Sequence, residues 1–127
     1  AAERARLTKE LEAVKKHTAK ADIFIGVAAV ADYRVSKPRQ HKIKKTDESA
    51  LTLSFVPNPD ILGWVASRPK PPFCAGFAAE SRNLDAYADE KRRRKKVQLM
   101  IANLAQDAIG ADDNEVSLLD DRGTHRL

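Results

Sequence analysis

Cysteine, aromatic residues and long apolar runs are all scarce in this chain of 127 residues, and each shortage removes a class of protein. The one cysteine, Cys74, has no partner for an intramolecular disulfide. A disulfide-stapled secreted scaffold is thereby excluded, and a reducing cytoplasm is expected. His17, His41 and His125 are scattered, and with a single cysteine they form no zinc-ligand pattern. No apolar run approaches the roughly 18–20 residues needed to span a bilayer, so no membrane is expected as partner. The opening AAERARLTKELEAVKK is charged throughout and lacks the apolar middle of a signal peptide. Gly26 and Gly76 stand alone, without the GxGxxG or GxxxxGK[ST] spacing of the dinucleotide and P-loop fingerprints. There is no internal repeat, no low-complexity tract, and no Ser-His-Asp arrangement that spacing supports.

The composition that remains is that of an ordinary globular core, 43% hydrophobic with 6% aromatic, and the length suits one domain or part of one. A net charge of +5 favours a polyanionic partner, either a nucleic acid or a phosphorylated small molecule. Charge alone does not separate the two.

Periodicity predicts alternating helices and strands. Residues 2–20 read as a helix, with Leu7, Leu11 and Val14 on one side. ADIFIGVAA reads as a strand of about six residues, apolar on both faces as in a covered, central parallel strand. Residues 33–50 hold no apolar period and read as a loop rich in lysine and arginine. ALTLSFVP alternates Leu51, Leu53 and Phe55 against Thr52 and Ser54, the pattern of a half-buried strand. Asn58-Pro59-Asp60 reads as a helix start, with Asn58 at the N-cap, Pro59 at N1 and Asp60 in the first turn. That helix is expected to run to about Ser67 and to bury Ile61, Trp64 and Val65. PKPP is a stiff connector to a short buried strand, FCAGF. A helix over about Leu84–Lys95, with Asn83 as a possible cap, precedes the apolar strand VQLMIANLA. NEVSLLDD is a later strand ending in the turn Asp121-Arg122-Gly123. The order predicts an α/β, Rossmann-like three-layer fold with a largely parallel sheet. In such sheets ligands sit at the carboxyl ends of the strands. There the sequence offers Ala28-Ala29, Gly76-Phe77-Ala78 and Ala102-Asn103, which are small or polar and suit a close backbone approach.

The run KRRRKK at 91–96 has three readings: a solvated helix face, a nucleic-acid patch, or a phosphate site. Leu84, Ala88, Lys91 and Lys95 fall on one helical line, so two ammonium groups continue a stripe that begins apolar. Lysines there belong at the rim of the packed layer, where they can neutralise a triphosphate. The other four basic residues of the run need no ligand. Lys37, Lys42, Lys44 and Lys45 form a second positive cluster, either a mobile soluble loop or a lid over an anionic intermediate. The start at Asn58-Pro59-Asp60 is an ordinary helix N-terminus or an anion or ribose site. Cys74 and Trp64 read as core residues.

AAVADYR, KIKK, NPDIL, GFAAES, KRRRKK before a strand and IAN, and DDNEV follow one another in an order that resembles phosphopantothenoylcysteine synthetase over roughly residues 21–120. In bacteria that family is usually the carboxy-terminal half of a bifunctional coenzyme A biosynthesis protein, fused to a decarboxylase. The resemblance implies a cytoplasmic, homodimeric ligase that activates the carboxylate of 4'-phosphopantothenate with CTP and Mg²⁺. An acyl-cytidylate and pyrophosphate form, and the amine of cysteine then displaces CMP. FMN is implied only for the fused decarboxylase half. The family's nucleotide contacts fall on Gly26, Val27, Ala28, Asp32, Pro59, Asp60, Ile61, Leu62, Phe77, Lys91 and Lys95. Lys42 matches the loop lysine that also assists the second half-reaction. Asp32 either holds Mg²⁺ or orients the nucleotide, and the choice between CTP and ATP is open. The GPTxE and SNxSSGxMG segments of the family are absent, and Ala111 stands where serine is common. Residues 1–127 are therefore expected to be part of a single ligase domain lacking its amino-terminal βαβ portion and its carboxy-terminal end, with only part of the active site. Two rival readings stand beside this one: a basic nucleic-acid-binding module built on KRRRKK, and a remnant that only dimerises.

Overall fold

Segments apolar at every position, rather than at alternate ones, supply the parallel strands, because a parallel strand is packed on both faces. The computed structural model describes residues 2–28, 30–39, 41–44, 50–108 and 112–127. It runs α1 (Ala2–His17), β1 (Ile23–Gly26), β2 (Tyr33–Val35), β3 (Phe55–Pro57), α2 (Ile61–Ala66), β4 (Phe73–Glu80), α3 (Leu84–Lys95), β5 (Leu99–Leu104), α4 (Ala105–Ala108), β6 (Ser117–Leu119) and β7 (Thr124–Arg126). Five strands form one sheet in the order β1-β4-β5-β6-β7, and β2 pairs with β3 in a separate ribbon. β1, β4 and β5 are parallel, with Gly26 opposite Gly76 and Gly76 opposite Met100. β6 and β7 complete the sheet antiparallel. The arrangement is the Rossmann-like α/β fold that the alternation predicts.

The core forms where β4 and β5 meet α2 and α3. Val65, Cys74, Ala78, Ala88, Val97, Met100, Ala102 and Leu119 are buried together, with Val14, Phe24, Leu62, Trp64 and Leu84 packed against them. Cys74 is a core residue, as its apolar strand suggests. Burial pushes its thiol up, only partly offset by the charge of Arg68, so at neutral pH it stays protonated and is no nucleophile. Trp64 lies in the seam between α1 and α2, with the Lys15 ammonium and the Arg68 guanidinium each 5.8 Å from its ring centroid.

α3 keeps the expected bounds. Its alanine, leucine, arginine and lysine are strong helix formers, and Arg92–Lys95 complement the negative end of the dipole. It closes on Lys96, which adopts the left-handed conformation at φ 57° and whose N–H donates to the Arg92 and Arg93 carbonyls. Asn83 occupies the N-cap at φ 48° but makes no capping bond through its side chain.

Several expected boundaries shift, each for a local reason. α1 ends at His17 rather than residue 20, and the Thr18 N–H at 2.9 Å and hydroxyl at 2.7 Å both donate to the Val14 carbonyl at its end. β1 is shorter than expected and is the edge strand of its sheet, not a central one. Its Ile23 and Ile25 are 63% and 59% exposed, because they share the face of β1 that no described helix covers, while Phe24 and Gly26 on the other face are half-buried. Residues 33–35, read as loop, form β2 against β3. The strand expected over ALTLSFVP is confined to Phe55–Pro57, and Leu51, Leu53 and Phe55 are exposed rather than half-buried. FCAGF extends to the eight residues of β4. α2 is capped by Asp60, not Asn58: Asn58 Oδ1, the atom that would cap, accepts from Arg34 at 2.9 Å, while its amide N–H donates to the Ala31 carbonyl at 2.7 Å. Ala29, Lys45 and Ala111 lie outside the described residues.

Candidate functional site

A cavity of about 620 Å³ opens at the carboxyl ends of β1 and β4, between the loop after β1, the start of α2 and the last turns of α3. Its position follows from the topology, since parallel strands point their ends and loops to one edge. Gly26, Val27 and Ala28 bring the chain of β1 into the wall, and Phe77 enters from β4. Pro59, Asp60, Ile61 and Leu62 supply the α2 side, and Lys91 and Lys95 the α3 side. Asp32 stands on the loop between them. The nucleotide contacts that the resemblance implies thus line one cavity, with one exception, Lys42, which is exposed and does not line it; Lys37, Lys44, Gly76, Ala78, Ala102 and Asn103 do not line it either.

The close packing of this edge depends on two glycines. A Cβ on Gly76 would sit 2.6 Å from Leu62 Cδ2 and 3.2 Å from Met100 Cε, so the ends of those two side chains would have to turn aside to admit it. A Cβ on Gly63 would meet the Asp60 carboxylate at 2.6 Å, the group that caps α2. The loop holding Asp32 is tied to the same helix start. Asn58 N–H donates to the Asp32 carbonyl at 2.8 Å, and Arg34 donates to the Pro57 carbonyl at 2.7 Å and to Asn58 Oδ1 at 2.9 Å.

Both lysines predicted from the helical line reach the rim half-buried and ion-paired. Lys91 Nζ lies 2.9 Å from Glu80 Oε1, and Lys95 Nζ lies 2.6 Å from Asp60 Oδ2. The other Asp60 oxygen accepts the Gly63 N–H at 3.0 Å. Burial alone would raise the Asp60 carboxyl. The Lys95 and Gly63 hydrogen bonds and the charges of Lys95 and Arg94 outweigh it and hold the group below the usual carboxylate range. Asp32 is the opposite case: exposed, with no hydrogen bond or ion pair to its carboxylate among the described residues.

The basic run divides by direction. Arg92 and Arg93 share Asp89, at 3.0 and 2.8 Å, and Lys96 caps the helix. Arg94 lines the cavity beside Lys91 and Lys95. The strict four-residue spacing that singled out Lys91 and Lys95 passes over Arg94, although a residue three positions on from Lys91 shares its face. Glu10 and Val14 of α1 and Met100 of β5 also line the cavity, and no sequence signal marks them: they arrive by packing alone.

Residues 5–127 match the family described as DNA/pantothenate metabolism flavoprotein C-terminal domain. The chain belongs to that family. It is 40% identical over 120 residues to the coenzyme A biosynthesis bifunctional protein CoaBC of Vibrio cholerae serotype O1, covering 91% of this chain and 30% of that protein. To CoaBC of Escherichia coli K12 it is 46% identical over 98 residues, 74% of this chain and 24% of the relative. The chain thus spans under a third of the length of these curated relatives. Among solved structures, the C-terminal domain of CoaBC superposes with a TM-score of 0.67 at 29% identity, over 94% of this chain and 52% of that one. The DNA/pantothenate metabolism flavoprotein from Streptococcus pneumoniae shares the fold, with a TM-score of 0.73 at 20% identity, over 94% of this chain and 62% of that one.

Among the described residues no group of three or more His, Cys, Asp or Glu could hold a metal. Mg²⁺ commonly takes one or two carboxylates and completes its shell with substrate phosphates and water. The uncommitted carboxylate of Asp32 suits that role. No helix among the described residues is long and apolar enough to cross a membrane.

Proposed function

We propose that this chain supplies the nucleotide-gripping side of a cytoplasmic phosphopantothenate–cysteine ligase of coenzyme A biosynthesis, with CTP as the activating nucleotide. One observation carries the reading: strand-end backbone, a helix start and two rim lysines meet in a single cavity, in a chain whose relatives are coenzyme A biosynthesis proteins. A carboxylate oxygen of 4'-phosphopantothenate attacks the α-phosphorus of CTP, the bond to pyrophosphate breaks, and an acyl-cytidylate forms. The amine of cysteine then attacks the acyl carbon, losing a proton as CMP departs with the bonding pair.

The difficulty of the first step is repulsion between an attacking anion and a phosphate chain that is already negative. Lys91 and Lys95 offset that charge where it accumulates. Gly26, Val27 and Ala28 let the ligand lie against the backbone, Leu62 and Phe77 give it an apolar wall, and the α2 start with Pro59, Asp60 and Ile61 positions it. Mg²⁺, held by Asp32 and the phosphates, would supply further charge neutralisation. Lys42 belongs to a loop that reaches the acyl-cytidylate when it closes. The working enzyme is a homodimer that draws the remaining substrate contacts from the rest of the ligase domain. FMN belongs to a fused decarboxylase half and not to this chain.

Nucleotide titration by calorimetry tests the reading. With Mg²⁺ present, CTP is expected to bind more tightly than ATP, and Lys91→Ala or Lys95→Ala to weaken CTP about tenfold, on the scale of a hydrogen bond to a charged group. Equal binding of both nucleotides, undiminished in Lys91→Ala, would overturn it.

A further inference from the structure

Three cations of α3 line the cavity, and they differ in what already holds them. Lys91 and Lys95 are committed to Glu80 and Asp60. Arg94 is exposed, lines the same wall, and makes no hydrogen bond or ion pair among the described residues. Its charge nevertheless reaches the site, since it helps hold the Asp60 carboxyl below its usual range.

Charge balance makes this difference matter. Glu10 of the lining is engaged by Arg6 at 2.9 Å. Lys91 and Lys95 are each matched by the carboxylate that holds them, Glu80 and Asp60, and Asp32 adds a further negative charge to the lining. Arg94 places a positive charge opposite that of Asp32 on the lining and keeps its own donors free for a phosphate chain. Lys91, Arg94 and Lys95 stand at i, i+3 and i+4 on one helix, the spacing that puts three side chains over one patch. Neighbouring Arg93 is the contrast: its side chain is 74% exposed and paired with Asp89.

We propose that Arg94 is a third phosphate contact of the nucleotide site, a planar fork gripping the phosphate chain of a nucleoside triphosphate from the α3 position of the lining whose cation is paired with no carboxylate among the described residues. A guanidinium can bind two phosphate oxygens at once, whereas each lysine acts as a point charge and must first share or leave its carboxylate. This assignment rests on the nucleotide reading above.

Calorimetric titration of the wild-type chain, Arg94→Gln, Arg94→Lys and Arg93→Gln with CTP and with CMP, each with Mg²⁺, tests it. Arg94→Gln is expected to weaken CTP about tenfold while CMP stays within about twofold, because CMP lacks the β- and γ-phosphates. Arg94→Lys recovers part of the loss, and Arg93→Gln matches wild type. Circular dichroism melts of the variants confirm that these solvent-facing changes leave the fold intact. If the wild-type chain binds CTP and Arg94→Gln binds it equally well, the inference on Arg94 is overturned while the nucleotide reading stands. An equal loss of CTP and CMP also overturns it, since the effect then does not lie in the phosphate chain. If the wild-type chain binds neither nucleotide, both fall together.

Discussion

Replacing Asp60 with alanine removes two contacts that one carboxylate makes in opposite directions. Oδ1 caps α2 by accepting the Gly63 N–H at 3.0 Å, and Oδ2 holds Lys95 at 2.6 Å. Loss of a helix cap costs about 1 kcal/mol. The ion pair is worth roughly 0.2–1 kcal/mol when exposed, and here the Lys95 side chain is only 17% exposed while that of Asp60 is 46% exposed, which favours the upper part of that range. Asp60→Ala should therefore lose about 1–2 kcal/mol in urea unfolding. Asp60→Asn keeps an acceptor for Gly63 and loses only the charge, so its loss should stay at or below about 1 kcal/mol. The pH dependence follows from the depressed carboxyl. A group whose folded value lies below its unfolded one contributes stability above the unfolded value and loses it as pH falls through the folded value. The advantage of wild type over Asp60→Asn should thus be full above about pH 5 and should shrink below about pH 4, where the unfolded carboxyl begins to protonate. Asparagine as damaging as alanine, or a gap between wild type and Asp60→Asn that is constant from pH 7 to pH 3, would refute the division of labour between the two oxygens.

Two further substitutions probe backbone and packing. Gly76→Ala should cost about 1–3 kcal/mol by overpacking against Leu62 and Met100, and a loss under about 0.5 kcal/mol in urea unfolding would show that α2 can lift off the sheet without penalty. Lys96→Gly should raise stability by about 0.5–1 kcal/mol by relieving a left-handed conformation at φ 57° on an exposed residue, net of the entropy glycine brings to the unfolded chain; a lower melting temperature would contradict this.

Legibility in the sequence varied with how local the deciding physics is. α3 was bounded correctly because its propensity, its basic last turn and its apolar stripe all act within one helix. The lysine line of that stripe also located the cavity rim, since side chains at the edge of a buried face end at the edge of the layer. β1 misled because an apolar segment states that both faces want covering, not which strands lie beside it. The Asn58-Pro59-Asp60 start held two residues able to cap, and the choice went to Asp60 because Asn58 Oδ1 is taken by Arg34, 24 residues earlier in the chain. Arg94 was passed over because it lies off the line through Lys91 and Lys95, and its lack of a partner shows only once Glu80 and Asp60, from other elements, have paired with those two lysines.

The lone tryptophan has a practical consequence. Trp64 sits two residues beyond Leu62 of the cavity wall, and the same seam positions Val14 of α1. With cations over its ring, its emission colour should shift when α1 slides on α2, and no second indole dilutes the signal. The molecule therefore carries a built-in optical gauge of the joint beside its cavity, readable in plain solution without an attached dye.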